Sequence, residues 1–134
     1  MPSLDNIEGV GKQYAAKLKK AGVSTSDALL KAAATKTDRK NLAKETGVSE
    51  KLILEWANHC DLFRIKGVAE EYADLLEEAG VDSIPELAQR KPENLHAKLE
   101  EVNSKKKLVR QLVSEKQVAE WINQAKKLKK VITH

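Results

Sequence analysis

The sequence is short of the residues that would tie it to a membrane, a metal or an oxidising compartment. Cys60 is its single cysteine, so a disulfide within one chain is excluded and a reducing setting is expected. No stretch approaches the ~20 consecutive apolar residues of a membrane span. The first residues, Met1-Pro2-Ser3-Leu4-Asp5, carry neither a basic start nor an apolar run, so the expected location is cytoplasmic. Proline occurs only three times and aromatics make up 4% of the 134 residues, while Ala, Leu, Lys and Glu abound. That balance predicts an all-α fold. Neither sign of charge dominates: 24 Lys and Arg face 20 Asp and Glu, leaving +4, so the placement of charge matters more than its sum.

What the sequence does have is a repeat. Ile7-Glu8-Gly9-Val10-Gly11 leads into an amphipathic run with Tyr14 and Leu18, closed by Ala21-Gly22-Val23. Ile65-Lys66-Gly67-Val68-Ala69 leads into a second with Tyr72 and Leu76, closed by Ala79-Gly80-Val81. The offset is 67 − 9 = 58, kept by Tyr14/Tyr72 and Gly22/Gly80. Two copies of one supersecondary unit follow. Each reads as a tight glycine turn entering a helix that a second glycine stops.

Between these landmarks the chain predicts further helices. Ser24 or Thr25 caps one that reaches Ala34, and Thr37-Asp38 begin another that Gly47 stops. Ser49 caps a longer helix with buried Ile53, Trp56, Cys60 and Phe63, continuing through residues 49–66 into the second turn. No Gly/Ser- or Pro-rich linker intervenes, so the expected units are 1–63 and 64–134, sharing that helix. Asp82 or Ser83 caps the next helix around Pro85, and Pro92 opens one running to about Glu101. Val113-Ser114-Glu115-Lys116 echoes Val48-Ser49-Glu50-Lys51, and Trp121 echoes Trp56 at 121 − 56 = 65. Relative to the first offset, seven residues are inserted around 103–110. Trp56 and Trp121 are assigned to the core, as are Tyr14 and Tyr72 with their hydroxyls at its rim.

The residues Ile7, Gly9, Val10, Gly11, Ala15 and Leu18 resemble the helix-hairpin-helix motif, which reads nucleic-acid backbones without sequence preference. The second copy departs from it, with Ala69 for the second glycine and Glu70-Glu71 after it. Across nearly the whole chain, Leu42-Ala43, Thr46-Gly47, Trp56, Asp61-Leu62, Arg64-Ile65, Gly67-Val68, Tyr72, Ala79-Gly80-Val81-Asp82, Asn94-Leu95, Trp121-Ile122, Gln124-Ala125-Lys126 and Val131-Ile132-Thr133 are similar to a prokaryotic family known as a domain of unknown function, DUF4332. That resemblance implies a tandem of two fused helix-hairpin-helix units and no particular activity. It also implies a glycine where this chain has Ala69.

The expected site lies at the first hairpin. Glycines leave backbone bare, and a helix start offers unpaired N–H groups at its positive end, a setting suited to phosphate. Gly9, Val10 and Gly11 are the expected N–H donors, with Lys12, Lys17, Lys19 and Lys20 supplying charge, and no acid lies between Gly9 and Gly22. Lys66, Gly67, Lys105, Lys106, Lys107 and Arg110 are the expected secondary contacts. The expected partner is nucleic acid, duplex DNA by family analogy. The plainer alternative is a packing turn beside a solvated lysine face. Helix 70–78 carries Glu70, Glu71, Asp74, Glu77 and Glu78 and no base, which repels phosphate. In the alternative function, this acidic helix pairs with a basic helix in protein–protein contact or self-assembly.

No catalytic residue is assigned: no Ser or Cys nucleophile has a matched base, and no phosphate loop or carboxylate pair is visible. His59-Cys60 with isolated His96 and His134 falls short of the four ligands of a zinc site. No metal, cofactor or small-molecule substrate is expected.

Overall fold

The computed structural model describes Leu4, Ile7 and residues 10–133, the side chain of Glu70 excepted. Over these residues the protein is all-α, with helices α1 (Gly11–Lys20), α2 (Ser26–Ala32), α3 (Lys36–Thr46), α4 (Glu50–Leu62), α5 (Glu70–Glu78), α6 (Ile84–Ala88), α7 (Pro92–Lys106) and α8 (Glu115–Lys127). The chain divides into two compact units, Met1–Asp61 with Lys130–His134, and Leu62–Lys129.

In the first unit, α3 packs on α1 and α2. Threonine side chains start two of the helices: Thr25 accepts from the Ala28 N–H at 3.2 Å, and Thr35 from the Asp38 N–H at 3.1 Å. The start of α3 thus falls just before the expected Thr37-Asp38, because Thr35 is free to sit extended while Thr37 is inside the first turn. Ser49 accepts from Leu52 N–H at 3.2 Å and opens α4, whose buried face is Ile53, Trp56, Ala57 and Cys60.

In the second unit, α8 packs on α6 and α7, and α7 on α5. The core is Leu75, Leu76, Leu87, Leu95, Leu99 and Val118, all fully buried, with Trp121 and Ile122 beside them. Of the two cap candidates for α6, Ser83 does the work, accepting from Glu86 N–H. Ser114 and Gln117 form a reciprocal capping box at the start of α8.

Two expected helix ends are corrected. The helix expected over 49–66 ends at Leu62, because Gly67 at φ +94° turns the chain and Ile65 and Val68 close tighter, three-residue hydrogen bonds to Leu62 and Ile65. The helix expected to end near Glu101 runs to Lys106 instead, since nothing in Val102-Asn103-Ser104-Lys105 breaks it. Lys107 then stops it in the left-handed region at φ 51°.

The seven inserted residues are anchored by a side chain of α7. Asn103 grips Val109 at both ends, its Nδ2 donating to the Val109 carbonyl (3.2 Å) and its Oδ1 accepting the Val109 N–H (3.0 Å). Tyr72 Oη donates to the Gln111 carbonyl at 2.7 Å, and His96 Nε2 donates to the Val113 carbonyl at 2.9 Å. Three side chains therefore hold 109–113 against helices already in place. Asn103→Ala removes two hydrogen bonds and is expected to cost about 1–3 kcal/mol; a urea midpoint equal to the parent's would contradict the anchoring role.

Candidate nucleic-acid interface

Both hairpins are built on one device. Leu4, Ile7 and Val10 are buried three residues apart, with Ile7 N–H on Leu4 O and Val10 N–H on Ile7 O, each at 3.1 Å. Leu62, Ile65 and Val68 repeat it, with both bonds again at 3.1 Å. The helix stops repeat as well: Val23 N–H reaches Leu18 O at 2.9 Å, and Val81 N–H reaches Leu76 O at 2.8 Å, closing Schellman-type ends over Gly22 and Gly80. Each hairpin helix also leans its tyrosine on a tryptophan. Tyr14 and Trp56 have ring centroids 5.1 Å apart, and Tyr72 and Trp121 5.6 Å. Both indoles are buried, as expected of core residues.

The two turns then part company. Gly11 opens α1 at φ +65° with nothing within 4 Å of where a Cβ would stand, so glycine is needed there for conformation and not for room. At the matching place Ala69 is extended, φ −102° and ψ −174°, and α5 begins one residue later. An alanine suffices because the backbone no longer turns left-handed. The second turn is exposed but engaged by α8: Lys66 N–H donates to Gln124 Oε1 at 2.8 Å, and a Cβ on Gly67 would meet Trp121 Nε1 at 3.0 Å. Lys66 and Gly67 thus face α8 with the backbone that was expected to meet a ligand.

Among the expected residues of the first hairpin, Gly9 lies outside the described residues. Val10 is an anchor rather than a donor, since its side chain is 2% exposed and its N–H is spent on Ile7. Gly11, Lys12, Lys17, Lys19 and Lys20 are exposed. At roughly 100° per residue, the four lysines fan over an arc of about 160° centred opposite buried Leu18. Lys12 sits at the N-terminal end, where helix geometry leaves the first N–H groups without an intrahelical acceptor. Lys17, Lys19 and Lys20 occupy the last turns, where they also complement the helix dipole, and Lys17 Nζ lies 5.8 Å from the Tyr14 ring centre. Of the four, Lys12 stands nearest the turn along the helix.

The secondary set is divided. Lys106 is paired with Glu78 at 2.7 Å and Lys105 lies 3.7 Å from Glu101, whereas Lys107 and Arg110 are exposed on the loop beyond. On α5, Glu71, Glu77 and Glu78 are exposed and Asp74 is half-buried; the side chain of Glu70 is outside the described residues. Helix α1 therefore carries four bases and no acid, while α5 carries five acids and no base.

Sequence reasoning missed Gln124 and Asn103, whose roles are pairings with main chain that no periodicity marks. Arg39 was also missed, though its spacing from Leu42 and Thr46 places it on the inward stripe of α3.

The described residues define an all-helical protein in which one turn-and-helix geometry recurs, with a lysine face at its first occurrence. The chain belongs to the family described as a domain of unknown function (DUF4332), which it matches over residues 8–128. No curated protein and no solved structure matches it.

Cys60 is 1% exposed, and burial, then the neighbouring charges of Asp61 and Asp27, push its thiol up to about 12. A neutral, enclosed thiol is a poor nucleophile and a poor metal ligand. Its labelling by an aromatic disulfide at pH 8 is expected to be negligible in the native protein and complete in denaturant. Rapid native labelling would contradict the enclosure.

Proposed function

We propose that this protein is a non-enzymatic, cytoplasmic binder of nucleic-acid backbone, duplex DNA by preference, made of two helix-hairpin-helix units of which the first holds the ligand. The observation that carries this reading is Gly11 at φ +65°, opening a helix whose solvent face bears lysines and no acid. A phosphate oxygen would accept N–H groups from the first turn of α1, Gly11 and Lys12 among them, with the Lys12 ammonium beside it. Lys17, Lys19 and Lys20, up to about 12 Å further along the helix at 1.5 Å per residue, would meet the neighbouring phosphates. None of these contacts touches a base edge, so the binding would follow backbone shape and charge.

The second unit serves as scaffold in this reading. Gln124 and Trp121 occupy its turn, and the acids of α5 oppose a polyanion. Lys107 and Arg110 extend the footprint as auxiliary cations.

A second reading is favoured by one observation, the opposite charge of α1 and α5: the basic helix of one copy would dock on the acidic helix of another. Mass measured by light scattering would then rise with protein concentration and fall with salt, without any nucleic acid.

With about four to six phosphates neutralised, the affinity for duplex DNA is expected to fall with a log–log salt slope of about −4 to −5. Lys12→Glu combined with Lys19→Glu is expected to weaken retention on a duplex at least tenfold in a gel-shift series. The melting temperature should stay unchanged, since both side chains are exposed. Retention equal to the parent's would remove the site.

A further inference from the structure

Two side chains lace the second hairpin to the end of α8. The Lys66 N–H donates to Gln124 Oε1 at 2.8 Å, and the Lys66 carbonyl accepts Gln124 Nε2 at 3.4 Å. Arg64 Nη2 donates to the Lys129 carbonyl at 3.0 Å. Positions 58 and 65 apart in sequence are joined in this way. Four lysines stem from the joined segments: Lys66 from the turn, Lys126 and Lys127 from the last turn of α8, and Lys129 just past it. All four are exposed.

Their charge is not spent within the protein. Lys98 and Lys105 lie 3.8 and 3.7 Å from Glu101, and Lys106 lies 2.7 Å from Glu78, but none of these four reaches an acid among the described residues. No Asp or Glu occurs from Trp121 to His134. The negative end of α8 accounts for Lys126 and Lys127 in its last turn, whereas Lys66 and Lys129 lie outside any helix. Like charges drawn together repel one another, and an anion relieves that repulsion.

We propose that Lys66, Lys126, Lys127 and Lys129 form a second contact for nucleic-acid backbone, carried by the second unit and presupposing the nucleic-acid reading above. The chemistry on offer selects the ligand. The Lys66 N–H stays with Gln124, so a single phosphate would find charge there without a bare amide to seat it. A chain of phosphates meets several ammonium groups at once and releases its counterions. A lipid surface is met by exposed apolar side chains beside the bases, and here Ala125 is buried and Leu128 half-buried. The contact is made by side chains alone and reads no base. The main chain beneath Lys66 and Lys129 is already fixed by Gln124 and Arg64, which lowers the ordering cost of binding.

The test combines Lys66→Gln, Lys126→Gln, Lys127→Gln and Lys129→Gln in the full chain. Its control loses the same charge elsewhere on the second unit, through Lys91→Gln, Lys98→Gln, Lys105→Gln and Lys116→Gln. In fluorescence anisotropy with a short DNA duplex at low salt, the test variant is expected to bind at least tenfold more weakly than the parent. Its log–log salt slope should be less steep by about 2 or more, at about 0.9 per phosphate lost. The control should stay within about threefold of the parent. Lys12→Glu with Lys19→Glu reads the first hairpin in the same assay. Weakening by that pair with no effect of the four Gln substitutions overturns the second contact and leaves the first, whereas a parent that binds no duplex overturns both. A control as weak as the test variant would reduce the effect to net charge, and polyglutamate competing as well as the duplex would assign the surface to an acidic protein; either result overturns the proposal. If the four substitutions lower the melting temperature, Lys66→Gln with Lys129→Gln, both outside helices, takes their place and is expected to lessen the slope by about 1; an unchanged slope would overturn the contact.

Discussion

Everything distinctive about this protein depends on three apolar residues spaced three apart and buried while the chain turns. In a regular helix such residues would drift around the axis, but a chain tightened to three-residue hydrogen bonds keeps them nearly in line. Leu4, Ile7 and Val10 do this in one copy, and Leu62, Ile65 and Val68 in the other, with matching 3.1 Å bonds. Burial of the row fixes the angle at which the following helix leaves. The tyrosine of that helix then meets a tryptophan from the last helix of its unit. The chemistry exposed by the turn is a consequence of apolar packing beneath it.

Once that frame is set, the copies can differ on the surface without differing in build. Left-handed Gly11 and extended Ala69 are two ways of entering the same helix, and each has the residue its φ requires. The first is followed by lysines and the second by glutamates. Gln124 illustrates how a spare turn is closed, its amide oxygen taking the Lys66 N–H. In the register of the repeat, His59 stands where Gln124 does, since 124 − 65 = 59, so the last helices differ at the residue nearest that role.

Much of the fold was legible in the sequence because it is written in periodic features. The all-α class followed from composition, and the repeat from glycines and tyrosines held at one offset. The cap at Ser49 and the buried Ile53, Trp56 and Cys60 of α4 followed from the sequence, whereas Phe63, expected on the same stripe, lies past the end of the helix and is half-buried. What escaped has a common physical character. Thr35, rather than Thr37-Asp38, starts α3, since several adjacent polar residues could cap equally well and the choice depends on local extension. The run of α7 to Lys106 escaped because exposed lysines mark neither a helix nor its end. Gln124 and Arg39 act on main-chain groups distant in sequence and Asn103 on one six residues on, beyond the end of its helix, and a residue's letter does not name such partners. Val10 was misjudged for a related reason. Its N–H is committed to Ile7 by a turn tighter than a helix, which the pattern of side chains does not reveal.

The most direct measurement is an amide-resolved NMR titration of the protein with a short DNA duplex at low salt. The Gly11 and Lys12 amides are expected to move first and furthest, with Lys66 and Gly67 still, and the shifts to collapse on raising the salt. Shifts centred on α5, or none across α1, would contradict it.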